Sequence, residues 1–482
     1  MAYEVVIGLE THAELLTASK LWCGCSTRFG EPPNTQTCPV CLGMPGVLPV
    51  MNRRAFELAV KAALAMHCRV NRRTFFDRKG YYYPDLPKNY QVSQNYCNLG
   101  EDGYLDIPAG EGAKRVRIHN VHLEEDAGKN VHAEHPGADY SLVDLNRAGV
   151  PLLEIVSQPD MRSVEEAEAY MQTLRQLLLY CELSDCKMQE GSLRFEASIS
   201  LRPAGQQAYG NRVEIKNLNS MKAVGKSLQY EIRRQTRILE AGGAVDRETR
   251  LWDEAAGRSE RMRSKEEAQD YRYFPEPDLV PYQIDDESFE RLARELPELP
   301  LDRRRRFVGD FGLGEYDARV LTDDKALADY FEACLAEHSA PKSAANWMMN
   351  DISAILNERR ITVAEFEVSA PALAGLIRLA DEGKVTGQAA REILAGMIKT
   401  GKDAPTLMKE MGVEAIGDTA ELEKLVDQAL AASEKAVRDY LKGKTAALGA
   451  IMGQVMRLTR GKADPKMAGE MVRARLEAMK GN

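Results

Sequence analysis

The chain has 482 residues, of which 44% are hydrophobic and 28% are charged, and its formal net charge is −9. This length exceeds what one ordinary hydrophobic core supports, so we expect two to four domains. No run of about eighteen apolar residues is present, so the sequence indicates no membrane-spanning helix. The acidic balance argues against a protein that coats nucleic acid nonspecifically, although it leaves room for a local basic surface.

The N-terminal residues do not resemble a secretory signal. They lack the basic start and the apolar core that define a signal peptide. We therefore expect a cytoplasmic protein with no membrane partner, in which the nine cysteines are reduced and four of them are free to bind metal.

The first predicted strand, Tyr3–Glu14, begins with an apolar run and ends with Glu10, His12 and Glu14. Side chains alternate between the two faces of a strand, so these three polar residues are expected on one face. Such a set suits a cation that prefers oxygen ligands. His12 alone is ambiguous, because a single strand histidine is more often a structural residue.

Four cysteines follow with the spacing C-x-C-x₁₂-C-x₂-C, at Cys23, Cys25, Cys38 and Cys41. This spacing is typical of a structural zinc site, and four thiolates leave no open coordination position. Disulfides are disfavoured in the cytoplasm, and no base for a catalytic thiol lies nearby except Arg28. The other cysteines resemble ordinary packing residues.

Two later segments place cations beside aromatic rings. Residues 76–85 contain Lys79, Tyr81 and Tyr83, and residues 271–278 repeat the pattern. Such rings could stack a base beside a bound phosphate. Packing at a domain edge explains them equally well.

Further acids fall in predicted strands within residues 115–126, 191–198 and 212–217. Acids from several strands can converge on one face, where they need a cation, and Mg²⁺ usually arrives with nucleotide phosphates. Ordinary half-exposed strands are the alternative for any single acid. No P-loop or G-x-G-x-x-G motif is present, so we expect ATP to bind on the sheet.

The pattern of strands and helices over residues 1–295 predicts an α+β domain with a mostly antiparallel sheet and a zinc-binding insertion near residues 23–41. Helices are expected at Glu165–Tyr180 and Ser220–Glu240. A proline-bearing linker at 296–301 precedes an all-α domain at 296–410, in which Ser369 and Thr386 begin helices. An all-α tail domain is expected at 411–482.

The tail is basic. From Leu441 onwards it contains nine Lys and Arg against three acids, an excess of six positive charges on an acidic protein. A second cluster is 303–306, which consists of four arginines. RNA contact and a solvated helix face are equally compatible with such charge runs.

Several long motifs resemble one known family, the B subunits of the aspartyl/glutamyl-tRNA amidotransferases. The resemblance extends from end to end. It rests on residues 6–12, 76–88, 123–129, 144–155, 213–220, 271–279, 453–456 and 459–463.

The resemblance implies a glutamine synthetase-like catalytic domain and an ATP-dependent ligase. The B subunit would phosphorylate the side-chain carboxylate of Glu mischarged on tRNA(Gln), or of Asp on tRNA(Asn), and ammonia would then displace phosphate. It also implies a heterotrimer in which the A subunit releases ammonia from glutamine and the C subunit wraps the other two, and a tail that contacts the tRNA.

The resemblance also implies roles for individual residues. The main Mg²⁺ ligands would be Glu10, His12 and Glu125, followed by Glu124, Glu196 and Glu214. Catalytic clamps on phosphate or carboxylate would be Lys79, Arg147 and Lys216. ATP would be bound by Lys79, Tyr81, Tyr83, Arg147, Lys216 and Asn217. Structural Zn²⁺ at Cys23, Cys25, Cys38 and Cys41 is predicted from the cysteine spacing, because these cysteines are not universal in the family.

One motif departs from the family pattern. Where the family usually reads Arg-Cys-Asp-Ala-Asn, this chain has Arg-Phe-Glu-Ala-Ser at residues 194–198. The longer Glu196 would shift its coordination or bind metal through water. Without the resemblance, two other functions would compete: an ATP-dependent ligase for a free acid, and a non-catalytic tRNA-binding protein with a zinc ribbon.

Overall fold

The computed structural model describes residues 3–110, 112–132, 140–264, 270–415, 419–459 and 462–480. Arg460 and Gly461, which belong to the predicted tail motif, lie outside the described residues. The chain divides into two compact units, Met1–Leu299 and Pro300–Asn482.

The first unit contains strands and a few helices. Its strands are β1 (Tyr3–Glu14), β2 (Arg69–Val70), β3 (Arg73–Thr74), β4 (Asp77–Gly80), β5 (Tyr90–Ser93), β6 (Gly100–Ala109), β7 (Gly112–Glu125), β8 (Lys129–His132), β9 (Ser141–Asp144), β10 (Pro151–Ser157), β11 (Leu193–Pro203), β12 (Val213–Lys216), β13 (Glu248–Asp253), β14 (Arg258–Ser264), β15 (Phe274–Pro275) and β16 (Tyr282–Gln283). Its helices are α1 (Arg53–Ala65), α2 (Val164–Tyr180), α3 (Met221–Glu240) and α4 (Asp286–Arg294).

A large sheet organises this unit. Within the described residues it has nine strands in the order β14-β13-β12-β11-β1-β10-β7-β6-β2. Its neighbours run antiparallel except for the parallel pair β12 and β13. The α+β prediction with a mostly antiparallel sheet is therefore confirmed.

The hydrophobic core lies on one side of the sheet. Apolar side chains of β1 such as Ile7 and Leu9 belong to the same buried cluster as residues of α1, α2 and α3. Hydroxyl side chains begin two of these helices, because Ser163 accepts a hydrogen bond from Glu166 N and Ser220 accepts one from Ala223 N. With helices on one face, the alternating polar residues of the strands occupy the other face.

The second unit is helical. Its helices are α5 (Pro300–Gly309), α6 (Glu315–Leu321), α7 (Lys325–Glu337), α8 (Pro341–Asn346), α9 (Ser353–Arg359), α10 (Ala370–Asp381), α11 (Gly387–Thr400), α12 (Ala404–Met411), α13 (Thr419–Ala432), α14 (Glu434–Leu441), α15 (Leu448–Leu458) and α16 (Pro465–Lys480), with a π-helical turn at Trp347–Ile352.

The helix starts predicted at Ser369 and Thr386 are confirmed. Each residue is extended and caps its helix, and Gly401 ends α11 with a φ of 69°. One buried cluster is built from residues between 307 and 408, and another from residues between 422 and 476. Among the helices of the described ranges, none is both long enough and apolar enough to cross a membrane.

We predict that Gly103→Ala destabilises the first unit. A Cβ at residue 103 would lie 2.5 Å from the backbone oxygen of Met66, so the chain would have to shift. Overpacking of this kind lowers the free energy of unfolding by roughly 1–3 kcal/mol, measurable by urea denaturation.

Gly112→Ala, at the other end of the β6–β7 hairpin, is the matched control. The nearest atom to its Cβ would be Ala109 O at 4.0 Å. Equal unfolding midpoints for the two variants would show that the close approach at residue 103 imposes no constraint.

Candidate active site and cysteine metal site

A row of acids and histidines crosses the polar face of the central strands. His12 of β1 pairs in register with Glu154 of β10, and Glu154 pairs with His122 of β7. Glu10 lies two residues before His12 on the same face, and Glu124 lies two residues after His122. Three adjacent antiparallel strands thus contribute to one group, which we call the acidic cluster: Glu10, His12, His122, Glu124 and Glu154.

The distances within the acidic cluster are short. His12 Nε2 lies 3.3 Å from Glu154 Oε2 and 3.8 Å from the nearest oxygens of both Glu10 and Glu124. His122 Nε2 lies 3.4 Å from the same Glu154 oxygen and 3.7 Å from Glu124 Oε2. Two sets of potential metal ligands share Glu154, and the candidate atoms of each set lie within 4.8 Å of one another.

The protonation of the acidic cluster reflects its crowded charge. Burial and the neighbouring Glu154 raise the pKa of Glu10 to about 7. Burial disfavours charge on His122, but Glu154 and Glu124 outweigh it and raise the pKa of His122 to about 10. Although burial opposes its charge, Glu154 has a pKa well below the ordinary value because of His122 and His12.

These donors fit a divalent cation. Carboxylates with imidazole suit Mg²⁺ or Mn²⁺, and metal coordination requires neutral imidazoles. Without metal, the protons on the two histidines partly neutralise the carboxylates. A cation seated here would displace those protons and take over that neutralisation.

The two aromatic segments meet above this face. β15 pairs with β4, and Gly80 N donates to Tyr271 O at 2.8 Å. The Lys79 Nζ atom lies 5.1 Å from the centre of the Tyr271 ring and 6.0 Å from that of Tyr81. The rings of Tyr81 and Tyr271 contact each other edge to face at 6.1 Å. These side chains form an aromatic wall around the Lys79 ammonium.

Lys79 also interacts electrostatically with the acidic cluster. Burial disfavours its charge, but Glu124, Tyr273 and Glu154 outweigh burial, so the pKa of Lys79 is raised. Lys79 is therefore a cation close to Glu124, which was predicted to bind metal, and to Glu154, which was not.

Lys216, on β12, is a second cation near the acidic cluster. Its strand lies on the side of β1 that is opposite to β10. Lys216 makes an ion pair with Glu196 of β11 and lies 3.2 Å from Glu214. Glu196 pairs in register with Glu10. The structure thus brings Glu196 next to Glu10, and its carboxylate is engaged by Lys216.

The next carboxylates along β1 and β7 are Glu14 and Asp126. Burial and the charge of Asp126 raise the pKa of Glu14 to about 8. Burial opposes the charge of Asp126, but Arg194 and Arg147 keep its pKa below the ordinary value. Arg194 Nη2 donates to Asp126 at 2.8 Å. Glu14 is therefore mostly protonated at neutral pH, while Asp126 is ionised.

Arg147 is engaged with the backbone at this point. Its Nε donates to Ala127 O at 3.0 Å, its Nη2 donates to Gly128 O at 2.8 Å, and its Nε lies 3.6 Å from Asp126. The guanidinium fixes the segment that follows β7, next to the predicted site.

Glu125 lies apart from the acidic cluster. Strand alternation directs it away from Glu124, and its carboxylate accepts hydrogen bonds from Lys88 and, at 2.9 Å, from Val92 N. The sequence prediction that Glu125 binds metal stays a prediction, while the structure places Glu124 beside both histidines.

Two predicted nucleotide contacts lie further out. Tyr83 is exposed at the surface. Asn217 has a φ of 65°, and its side chain donates to Trp252 O at 3.0 Å. The hydrogen bond of Asn217 thus leads away from the acidic cluster, and the Tyr83 ring faces solvent.

The four cysteines come together. Their four Sγ atoms all lie within 4.8 Å of one another, and the sulfurs of Cys38 and Cys41 are 3.9 Å apart. Two sulfurs bonded to one tetrahedral zinc at about 2.3 Å would be separated by about 3.8 Å. The donor set and its spacing therefore fit zinc.

The surroundings of Cys41 favour its thiolate form. Its interaction with Cys23, the backbone N–H of Cys38 and the nearby Lys20 lower the pKa of Cys41 to about 5. The Cys38 N–H donates to Cys41 Sγ at 3.1 Å. A thiol that is already ionised at neutral pH is ready to bind metal.

The sequence interpretation missed His122 and Glu154. Glu154 is a single acid inside the apolar strand β10, which was a readable signal of a polar function on one face. His122 lies in the predicted strand at 115–126, but the strand register that joins it to His12 through Glu154 is not visible in the sequence. Glu125 was preferred over Glu124 on the family resemblance alone, without regard to the two faces of β7.

Comparison with known proteins identifies the family. A family model described as the GatB/GatE catalytic domain matches residues 5–290, and one described as the GatB domain matches residues 329–476.

Relatives match over nearly their whole length. The aspartyl/glutamyl-tRNA(Asn/Gln) amidotransferase B subunit of Moorella thermoacetica is 52% identical over 99% of this chain and 100% of its own length. The proteins of the same name from Caldanaerobacter subterraneus and Carboxydothermus hydrogenoformans are 49% and 50% identical, over 99% and 98% of this chain and 100% and 99% of their own lengths. The chain therefore belongs to the family of aspartyl/glutamyl-tRNA(Asn/Gln) amidotransferase B subunits.

Proposed function

We propose that this chain is the activating and amidating subunit of a tRNA-dependent amidotransferase. The observation that carries the proposal is the acidic cluster beside Lys79, in a chain that belongs to the B-subunit family. A carboxylate is a poor acyl donor, and phosphorylation converts one of its oxygens into a leaving group. Phosphoryl transfer depends mainly on positioning and on neutralisation of charge, which this face of the sheet is built to provide.

In the proposed reaction, the γ-phosphoryl group of ATP moves to the side-chain carboxylate of Glu on tRNA(Gln) or of Asp on tRNA(Asn). Ammonia then attacks the acyl phosphate and phosphate leaves, giving the amide. Membership of a B-subunit family implies partner subunits. We propose that an A subunit supplies ammonia from glutamine and a C subunit completes the heterotrimer, in the cytoplasm.

We assign the divalent cation to the acidic cluster. One ligand set is Glu10, His12 and Glu154, and a second is His122, Glu124 and Glu154. Mg²⁺ held there would bind the phosphates and offset the charge of the transferred group. Glu125, Glu196 and Glu214 are the other predicted ligands, and the ion pairs of Glu196 and Glu214 with Lys216 suit an outer role.

The cationic and aromatic residues have separate roles in this proposal. Lys79 and Lys216 lie on either side of the acidic cluster and clamp phosphate or carboxylate. The wall of Tyr81 and Tyr271 gives a base a surface to stack on. Arg147 orders the segment at 126–128. Direct contacts of Arg147, Tyr83 and Asn217 with substrate or ATP remain predictions.

We propose that the cysteines hold structural zinc and that the chain has three domains, at 1–295, 296–410 and 411–482.

The tail contains exposed Lys442, Lys444, Arg457, Lys466 and Arg473, which suit contact with the phosphates of a tRNA backbone. This chain matches amidotransferase B subunits over 99–100% of their length. That similarity disfavours the two alternative functions, a ligase for a free acid and a non-catalytic tRNA-binding protein.

We predict that Glu154→Gln lowers kcat for ATP-dependent amidation of Glu-tRNA(Gln) at least about 100-fold while tRNA affinity is retained. Glu154 belongs to both ligand sets, and metal binding supplies several kcal/mol of transition-state stabilisation. Mn²⁺ binding followed by electron paramagnetic resonance measures the metal site separately. Glu190→Gln removes only a surface ion pair with Lys187 and serves as the control.

Neighbouring substitutions test the face of β7. Glu124→Gln should weaken Mn²⁺ binding, whereas Glu125→Gln should retain it. The reverse result would assign the ligand to Glu125, and unchanged amidation by Glu154→Gln would refute the proposed catalytic role of the acidic cluster.

We predict that Cys38→Ser lowers the thermal midpoint and the zinc content of the purified protein, with residual activity per folded molecule, because the site braces the fold. Metal analysis and calorimetry measure the two effects. Cys97→Ser is the control, since Cys97 lies outside the cysteine cluster. Wild-type protein that is free of zinc and equally stable would contradict a structural zinc.

We predict that replacing Lys442, Lys444, Lys466 and Arg473 by Gln weakens tRNA binding without unfolding the tail. These residues are exposed, whereas deletion of the tail would remove core residues such as Ile451 and Val472. The slope of log affinity against log salt should fall by about one for each cation in contact with phosphate. An unchanged slope would exclude this surface, and equal amidation of free glutamate would exclude tRNA as the substrate.

A further inference from the structure

Lys20 is a fully buried lysine next to the cysteine site. Its ammonium donates to Gln36 O at 2.7 Å and lies 3.8 Å from Cys41 Sγ and 3.4 Å from Leu145 O. Lysine is rarely buried unless it is paired, because an ammonium in the interior needs an acceptor for each of its N–H groups. Two of these acceptors, Gln36 and Cys41, lie close together in the chain, whereas Leu145 belongs to a distant segment.

The charge of Lys20 is matched by a thiolate. In the part of the chain that the structure describes, no carboxylate forms an ion pair with Lys20, and the nearest anionic ligand atom that its ammonium contacts is Cys41 Sγ at 3.8 Å. Four thiolates around Zn²⁺ leave a net charge of −2, so one buried ammonium beside them compensates half of that excess. Lys20 therefore fits a metal-loaded cysteine site.

The cysteine loop (residues 23–41) is joined to a second segment, residues 144–149, which we call the Arg147 turn. Asn34 N donates to Asp144 Oδ1 at 3.1 Å, and Gln36 N donates to Asn146 Oδ1 at 2.8 Å. Together with the bond from Lys20 to Leu145 O, these contacts fix the turn on the cysteine loop.

The Arg147 turn reaches the polar face of the sheet. Gly149 N donates to Asp126 O at 2.8 Å, and Arg147 binds the carbonyls of Ala127 and Gly128. Asp126 lies beside Glu14, the last residue of β1. A continuous path of hydrogen bonds and backbone thus runs from Cys41 through Lys20 and the Arg147 turn to the end of the polar face.

We propose that Lys20 is a positioning residue that couples metal at the cysteines to the Arg147 turn, and thereby sets the segment at 126–128. Metal binding keeps the Cys41 thiolate in place as the acceptor for the ammonium, and the ammonium keeps Leu145 in place. The kinetic part of this inference rests on the proposed function, whereas its structural part does not.

The test uses the full chain co-purified with its partner subunits and loaded with zinc. Lys20→Met preserves the length of the side chain and removes its charge. We expect zinc release to a chromogenic chelator to become roughly tenfold faster or more, because a charged hydrogen bond has been lost. We expect hydrogen–deuterium exchange at 144–149 to become faster by a similar factor for the same reason. We expect kcat to fall with little change in KM for tRNA. Lys187→Met, at an exposed site, should change none of these.

Two further samples keep the test decisive if Lys20→Met folds poorly. Asn146→Ala loses the acceptor for Gln36 N and the hydrogen bonds that its Nδ2 donates to Pro32 O and Glu31 O. It leaves Lys20 and the cysteines intact, so it should increase exchange in the turn and leave zinc release unchanged. Wild-type protein stripped of zinc should also show faster exchange in the turn. Unchanged exchange in both samples would overturn the coupling, as would faster zinc release in Lys20→Met without faster exchange. Failure of the wild-type complex to amidate tRNA would refute the proposed function and leave the exchange results standing.

Discussion

The concentration of negative charge on one face of the central sheet constrains the rest of the first unit. In the acidic cluster, the candidate ligand atoms of each set, including carboxylate oxygens from neighbouring strands, lie within 4.8 Å of one another. At an effective dielectric constant of about 20, two unit charges at that separation repel by roughly 3–4 kcal/mol. This repulsion is offset by His12 and His122 within the cluster and by Lys79 and Lys216 beside it. Such a face is stable only while its positive partners stay in position.

Strand register delivers this arrangement. Glu154 lies between His12 and His122 because β10 pairs with β1 on one side and with β7 on the other. A slip of one residue would turn Glu154 towards the helices and expose its apolar neighbours. The buried cluster formed by these strands with α1, α2 and α3 therefore fixes the register, and the register in turn fixes the site.

The sequence allowed prediction of those features that depend on local patterns. Alternation located β1, capping residues located the starts of α10 and α11, and the cysteine spacing located four thiols that the structure brings together. Features that depend on pairing between distant strands were not predictable. His122 and Glu154 join the site only through the register, and the choice between Glu124 and Glu125 depends on which face of β7 is buried. Likewise, no local pattern indicates that Arg147 binds two backbone carbonyls.

The position of the cysteine loop follows from the topology of the same strands. β1 and β10 are antiparallel, so the segment that leaves β1 and the turn that enters β10 lie at the same end of the sheet. Glu14 at the end of β1 pairs with Leu152 near the start of β10, and Pro151 pairs with Glu125 at the end of β7. Three strand ends thus meet where the cysteine loop begins. Metal bound at the proposed cysteine site would therefore hold the end of the sheet where β7 passes into the Asp126 segment, next to the charged face.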